Sequence, residues 1–431
     1  IKFLKMHINL EEDKLILDKK INKLHKLYDY IIIGTGPAAS VVLNNLIKKK
    51  KKILVVERGG FEKKFNENIV SDNFKIKKES RIFGVGGTSN TWSQIYSLFS
   101  KNEMCNNKNK NIWPVSHKDL LYWCSKVGPK YKFNINNLGN ETIYKKKFYS
   151  RKFIELKNPI RFSKYFKRQN FDIITNCKVQ SLDETTTKNS IFFFSKNQIH
   201  SIDSKKIIIC AGAIESCVLI MNSIKDKKLK KLKNKKFIGK YFMDHPKCHI
   251  GEIKFPKKKL IRDLIVKNKK NFSTYQGLSL YSKNSRTLNT YVRFEERKSF
   301  LRLKKKIIIK IFLEMEPKFE NKIYIKNDTG NISLSISKKE IENSKKLLRN
   351  IKKIFSFNPR LENFDFNVTD LVDASHHIGG LIYPKIVNKD LKIQGLKNIF
   401  CCSSAIFPTS GSVNPTLIIC GLAERLSKFL K

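Results

Sequence analysis

The stretch Asp29-Tyr30-Ile31-Ile32-Ile33-Gly34-Thr35-Gly36-Pro37-Ala38-Ala39-Ser40 decides the reading of this chain. An apolar run stops at two glycines and resumes with small and apolar residues through Leu43, which predicts a buried strand, a tight turn and the start of a helix. Gly34 allows the turn, Gly36 allows a pyrophosphate to approach the backbone, and Ala39 takes the third position of the G-x-G-x-x-G/A pattern. Pro37 falls in the first helical turn, where a missing N–H costs nothing, and Ala38 follows it. A second apolar run, Ile53 to Val56, ends at Glu57, twenty-three residues after Gly34, where a carboxylate meets a ribose hydroxyl in such units. Together these features predict a dinucleotide-binding βαβ unit, against the plainer reading of an ordinary strand–helix turn.

Further along lie Gly86, Gly87, Thr88 and Ser89, four small residues that permit close backbone approach and offer N–H donors. Ile112 to Leu120 predicts a turn entering a helix with Ser116 as N-cap. Lys206 to Ser216 gives another buried strand running into small residues, so Ala211 and Gly212 form a second place for a cofactor to meet the backbone. The segments flanking Asn327-Asp328-Thr329-Gly330 predict a hairpin. Lys338 to Phe357 carries Ile341, Leu347, Leu348, Ile351 and Ile354 at helical spacing. Residues 1–25 are a charged, partly helical lead-in with no role legible from sequence, and residues 121–170 carry little that separates helix from strand.

At 431 residues, with 41% apolar and 11% aromatic side chains, the chain has enough apolar material for a large core and two domains. The net charge of +50 is extreme. Only 13 of the 87 basic residues are arginine, the side chain suited to bidentate phosphate contacts, and the lysines occur from end to end. Such spread, with Lys, Asn, Ile and Phe all abundant, reads as codon drift in an A+T-rich genome, with weak attraction to anionic surfaces, a membrane surface included, as a by-product and no nucleic-acid partner expected. The nine cysteines form no C-x-x-C and no zinc spacing, so no metal site is expected. Scattered thiols, no apolar run of about 18 to 20 residues and no signal-like apolar core give a cytoplasmic expectation.

Read in order, G-T-G-P-A-A, V-G-G-T-S-N-T-W, W-P-V-S-H-K-D-L, C-A-G-A-I-E-S, F-M-D-H-P, H-H-I-G-G and S-V-N-P-T make the chain from about Asp29 to Leu430 resemble the glucose–methanol–choline family of FAD-dependent oxidoreductases, in its sugar and alcohol dehydrogenase branch. The resemblance implies an α/β fold: a Rossmann-like FAD domain built from discontinuous segments (26–120, 171–245 and 371–431), with an inserted β-rich substrate domain (121–170 and 246–370). It implies FAD, with Gly34, Gly36, Pro37 and Ala38 at the pyrophosphate, Glu57 at the ribose, and Gly86 to Ser89 against the flavin or ribityl chain. Ser403, Ser404, Pro415 and Thr416 complete the expected cofactor contacts. It implies that His376 and Asn414 sit by the flavin, the imidazole as base and the carboxamide as positioner of an alcohol or sugar substrate. The electron acceptor is left open.

Three departures stand out. Gly380-Leu381-Ile382-Tyr383-Pro384 replaces the family's T-x-R-M continuation, Ser403 stands where relatives carry Asp or Gly, and Thr91 stands where some relatives carry a flavin-linked histidine. The last predicts non-covalent FAD. The first motivates an alternative, a flavin-binding protein with altered or lost alcohol oxidation.

Overall fold

The computed structural model describes residues 6–12, 20–62, 65–66, 76–106, 110–136, 138–158, 160–167, 170–254, 267–268, 271–280, 290–298, 305–355 and 366–430. Its centre is the strand Leu27–Ile33, which runs parallel to Ile53–Val56 on one side and to Gln198–Ile209 on the other. Ile31, Ile32, Leu54, Val55, Ile207 and Ile208 are fully buried, as expected of parallel strands covered on both faces. Asp172–Thr175 and then Met6–Asn9 extend this sheet in parallel beyond Ile53–Val56. Ile399–Cys401 adds to the end of Gln198–Ile209, which also carries an antiparallel meander, Asn189–Ser195 and Val179–Glu184.

The lead-in therefore has a structural role that its sequence did not show. Met6–Asn9 is an edge strand held by Asp172–Thr175, and His7 Nε2 lies 2.9 Å from Thr175 Oγ1.

Helix α1 (Pro37–Ile47) leaves the central strand and packs on the C-terminal helix, which also receives α2 (His117–Tyr131). Ser116 caps α2 as expected, its hydroxyl accepting the Asp119 amide at 3.1 Å. The domain boundary expected at residue 121 falls inside α2, and that helix packs with the nucleotide-unit elements. Helix α3 (Gly212–Lys225) follows the long strand Gln198–Ile209.

A second, antiparallel sheet runs Lys247–Lys254, Lys305–Phe312, Tyr291–Lys298, Phe272–Leu280, Phe148–Leu156 and Ile95–Tyr96, with α4 (Lys338–Phe355) against it. Ile341, Leu347, Leu348 and Ile351 of α4 are buried, while Phe357 lies outside the described residues. A smaller sheet carries the hairpin Lys322–Lys326 and Thr329–Ser333, joined by Asn327 and Asp328 with φ of 51° and 53°. Two successive left-handed residues match the twist of the flanking strands, which is why Asn and Asp stand there. This sheet continues through Lys240–Met243 to Ile378–Gly380. The C-terminal helix α5 (Thr416–Phe429) closes the chain.

Candidate active site

The central strand ends at Gly34, whose φ is +96°; a Cβ there would lie 2.6 Å from the Cys210 carbonyl oxygen. Only glycine lets the first turn pass this close to the neighbouring strand. Gly36, two residues on, has open space where its Cβ would be and is the N-cap of α1, with Pro37 following and no acidic residue in the first turn. Unpaired amides and the positive end of the helix thus face a cavity of about 400 Å³.

Thr35 ties this turn to the second glycine loop. Its hydroxyl donates to Glu57 Oε2 at 2.5 Å and accepts the Gly86 amide at 3.0 Å. Glu57 also accepts the Gly59 and Gly84 amides at 3.1 and 3.2 Å. Burial raises its carboxyl pKa, and those three donors oppose the rise. Glu57 lies on the cavity wall, fixed by three bonds within the protein. Beyond it, Arg58 and Arg81 both pair with Glu215 in the first turn of α3, and Arg58 lies over the Phe83 ring at 4.0 Å.

Part of the cavity wall is built by the last third of the chain. Asn414 Nδ2 lies 2.7 Å from His376 Nε2, and both residues are buried. The other ring nitrogen, His376 Nδ1, lies 2.8 Å from His245 Nδ1. His245 Nε2 faces two backbone carbonyls, Ser410 at 3.1 Å and Gly411 at 2.8 Å. Asp244 accepts the His376 and Ala374 amides at 2.9 and 3.1 Å and so fixes the backbone that carries the imidazole. Burial lowers the His376 pKa well below its ordinary value, and His245, Lys247 and Arg293 add to the effect. Asn414 Oδ1 is buried without a partner among the described residues. An unpaired carbonyl-type oxygen on a cavity wall is costly unless a ligand donor meets it.

The loop that carries Asn414 is anchored from behind. Glu103 is fully buried; its carboxylate accepts the Ser412 amide at 2.7 Å, the Ser100 amide at 2.7 Å and the Arg151 guanidinium at 2.8 Å. Arg151 also pairs with Glu141 and donates to the Ser412 hydroxyl at 2.9 Å. Burial alone would raise the Glu103 pKa, but Arg151 overrides it and holds it below the usual range. The Glu103 carbonyl accepts the Thr409 hydroxyl at 2.8 Å, and Trp113 Nε1 donates to the same hydroxyl at 2.9 Å.

Gly34, Gly36, Pro37, Ala38, Glu57, Gly87, Thr88, Ser89, Ala211, Gly212, His376, Ser403, Ser404, Asn414, Pro415 and Thr416 all line this cavity. Gly86 does not; it sits behind the wall, where a Cβ would lie 2.9 Å from the Ser163 amide nitrogen. Ser403 and Ser404 spend their hydroxyls within the protein, on the Gly212 and His377 carbonyls. His377 packs beside Asp373 rather than toward Asn414. Asp244, Asp373 and His377 bring ligand-type atoms within 4.8 Å of one another. Both Asp244 oxygens accept backbone amides, and Asp373 Oδ2 accepts the Lys77 amide and the Ser80 hydroxyl, which makes the trio a clamp between segments.

Sequence reasoning assigned no role to Thr35, Glu103, Arg151 or His245. Of these, His245 had a visible signal, because Asp244-His245-Pro246 was already one of the landmarks.

Residues 332–423 match the family model described as GMC oxidoreductase. No curated protein matches the chain in sequence. Among solved structures the chain is similar to pyridoxine 4-oxidase from Mesorbium loti, at 13% identity and a TM-score of 0.63, covering 93% of this chain and 99% of that one. It is also similar to a fungal aryl-alcohol oxidase (10% identity, TM-score 0.65, 94% and 98–99% coverage being shared by this and the next structure) and to formate oxidase from Aspergillus oryzae RIB40 (11%, TM-score 0.64). With the family match confined to residues 332–423 and the fold of these three oxidases along nearly its whole length, the chain has a C-terminal segment similar to the GMC oxidoreductases and shares the fold of those oxidases.

Proposed function

We propose that the protein oxidises an alcohol or sugar hydroxyl with non-covalent FAD, His376 acting as base and Asn414 as substrate positioner. What supports this reading is the 2.7 Å His376–Asn414 pair on the cavity wall, with the buried Asn414 carboxamide oxygen unpartnered among the described residues.

The residues fit the cofactor. Gly36 leaves open space at an uncapped helix N-terminus, a natural seat for a diphosphate. Gly87 faces it closely, since a Cβ on Gly87 would lie 3.4 Å from the Gly36 Cα. Glu57 and Arg58 stand on the wall where ribose and adenine would be held, and Ala211, Gly212, Pro415 and Thr416 on the wall toward the flavin. Thr91 offers no ring nitrogen for a covalent link. Bound FAD supplies the acceptor for the hydride that leaves the alcohol carbon.

This chain's residues handle the proton. The alcohol oxygen enters between the two side chains, giving its proton to His376 Nε2 and accepting an N–H from Asn414 as negative charge develops on it. The carboxamide can do this without competing for the proton.

The two glycines separate folding from binding. Gly34→Ala strains a left-handed residue against the Cys210 carbonyl and is expected to cost about 1–3 kcal/mol of stability. Gly36→Ala meets no protein atom; its unfolding temperature is expected to match the parent while FAD retention on gel filtration falls. Equal FAD retention in the two proteins would remove Gly36 from the diphosphate site.

The reading is tested by turnover of an alcohol and sugar panel with a dye acceptor, across pH. A base must be unprotonated, and burial holds His376 neutral to lower pH than a free imidazole. The rate is therefore expected to stay level as pH falls through 6.5 and to decline only below it. No carbonyl product from any member of the panel, with FAD bound, would overturn the proposal.

A further inference from the structure

His245 lies behind the proposed base, away from the cavity lining, and its hydrogen bonds determine more than packing. Its Nε2 faces the Ser410 and Gly411 carbonyls at 3.1 and 2.8 Å, and a carbonyl can only accept. Nε2 must therefore carry the proton. Burial lowers the His245 pKa, so the ring is neutral and its Nδ1 is a bare acceptor. The partner of that acceptor, 2.8 Å away, is His376 Nδ1, which must then be the donor. A neutral His376 with its proton on Nδ1 has its lone pair on Nε2, the nitrogen facing Asn414 Nδ2.

We infer that His245 is a positioning residue that sets the tautomer of His376, transmitting the direction of two backbone carbonyls through two rings so that Nε2 faces the substrate position unprotonated. The inference rests on His376 being the base. In the opposite tautomer Nε2 would carry a hydrogen and could not take the alcohol's proton. When Nε2 does take that proton, the Nδ1–H bond to His245 is kept, so the imidazolium forms without reorganising the buried side. The rings meet edge to face, 5.0 Å between centroids and 79° between planes, which holds this bond in a fixed direction.

The test is nitrogen-15 NMR of histidine-labelled protein carrying its flavin, with the His376 signals assigned by their loss in His376→Asn. The expected spectrum has Nδ1 protonated and Nε2 unprotonated. In His245→Leu the Nδ1 acceptor is gone, and His376 is expected to populate the Nε2–H form, with alcohol-driven flavin reduction slowed about 10²-fold and KM unchanged. His245→Asn, whose carboxamide oxygen can accept from Nδ1–H, is expected to restore the tautomer and most of the rate. A protonated Nε2 in the parent protein, or an unchanged His376 tautomer in His245→Leu, would overturn the inference. The parent spectrum needs no substituted protein to fold and no substrate to turn over. Failure to oxidise alcohols with the expected spectrum would thus count against the proposed reaction and leave the tautomer assignment standing.

Discussion

His376→Ala is expected to slow alcohol-driven bleaching of bound flavin by about 10²- to 10⁴-fold, the range in which a positioned general base contributes. FAD content and unfolding temperature should change little. Among the described residues the imidazole bonds to Asn414 and His245 alone, while Asp244 holds the His376 backbone amide and would still do so in the variant. A small cavity and two unpaired polar atoms remain, but the nucleotide end of the site is untouched. Rapid mixing under anaerobic conditions, with FAD content read by absorbance, checks both halves. Bleaching at the parent rate would remove His376 from the reaction.

Glu103→Ala is expected to cost about 3–5 kcal/mol of stability, read from urea midpoints. The size follows from what is left behind. Arg151 would keep Glu141 but lose its fully buried partner, and the buried amides of Ser100 and Ser412 would lose their carboxylate acceptor. A domain's net stability is itself only about 5–15 kcal/mol. Because Ser412 stands two residues before Asn414, the same change should loosen the loop that carries the carboxamide. Glu103→Gln keeps the volume and part of the bonding, and is expected to fall between the parent and Glu103→Ala. Unchanged stability in Glu103→Ala would show that the cluster is not the anchor of this loop.

What the sequence revealed and what it hid divide along contact range. The turn at Gly34 and Gly36, the Ser116 cap, the Asn327-Asp328 hairpin and the apolar face of α4 are local patterns, set by residues within a few positions of one another. The cavity lining was legible because glycines and small residues mark where backbone must be approached closely. Met6–Asn9 was not, since a four-residue edge strand has no internal signature and exists only by pairing with Asp172–Thr175. Nor was the boundary near residue 121, because the packing of α2 on α5 is a contact between distant segments. The Glu103–Arg151–Ser412 cluster joins three remote parts of the chain, and nothing around any one of them announces the others. His245 lay inside a landmark motif, but its meaning depends on two carbonyls at Ser410 and Gly411. Gly86 was read with its neighbours as lining, whereas the chain turns there so that only Gly87 to Ser89 reach the cavity.

Gly36 and His376 line one cavity, and in the proposed reaction FAD held there is reduced by an alcohol whose proton passes to the imidazole. Anaerobic mixing of the FAD-loaded protein with a panel of primary and secondary alcohols tests it most directly, with flavin absorbance followed and the product quantified. The expected result is loss of the oxidised flavin bands with one carbonyl product formed per flavin. FAD that binds fully yet keeps its oxidised spectrum with every alcohol offered would contradict it.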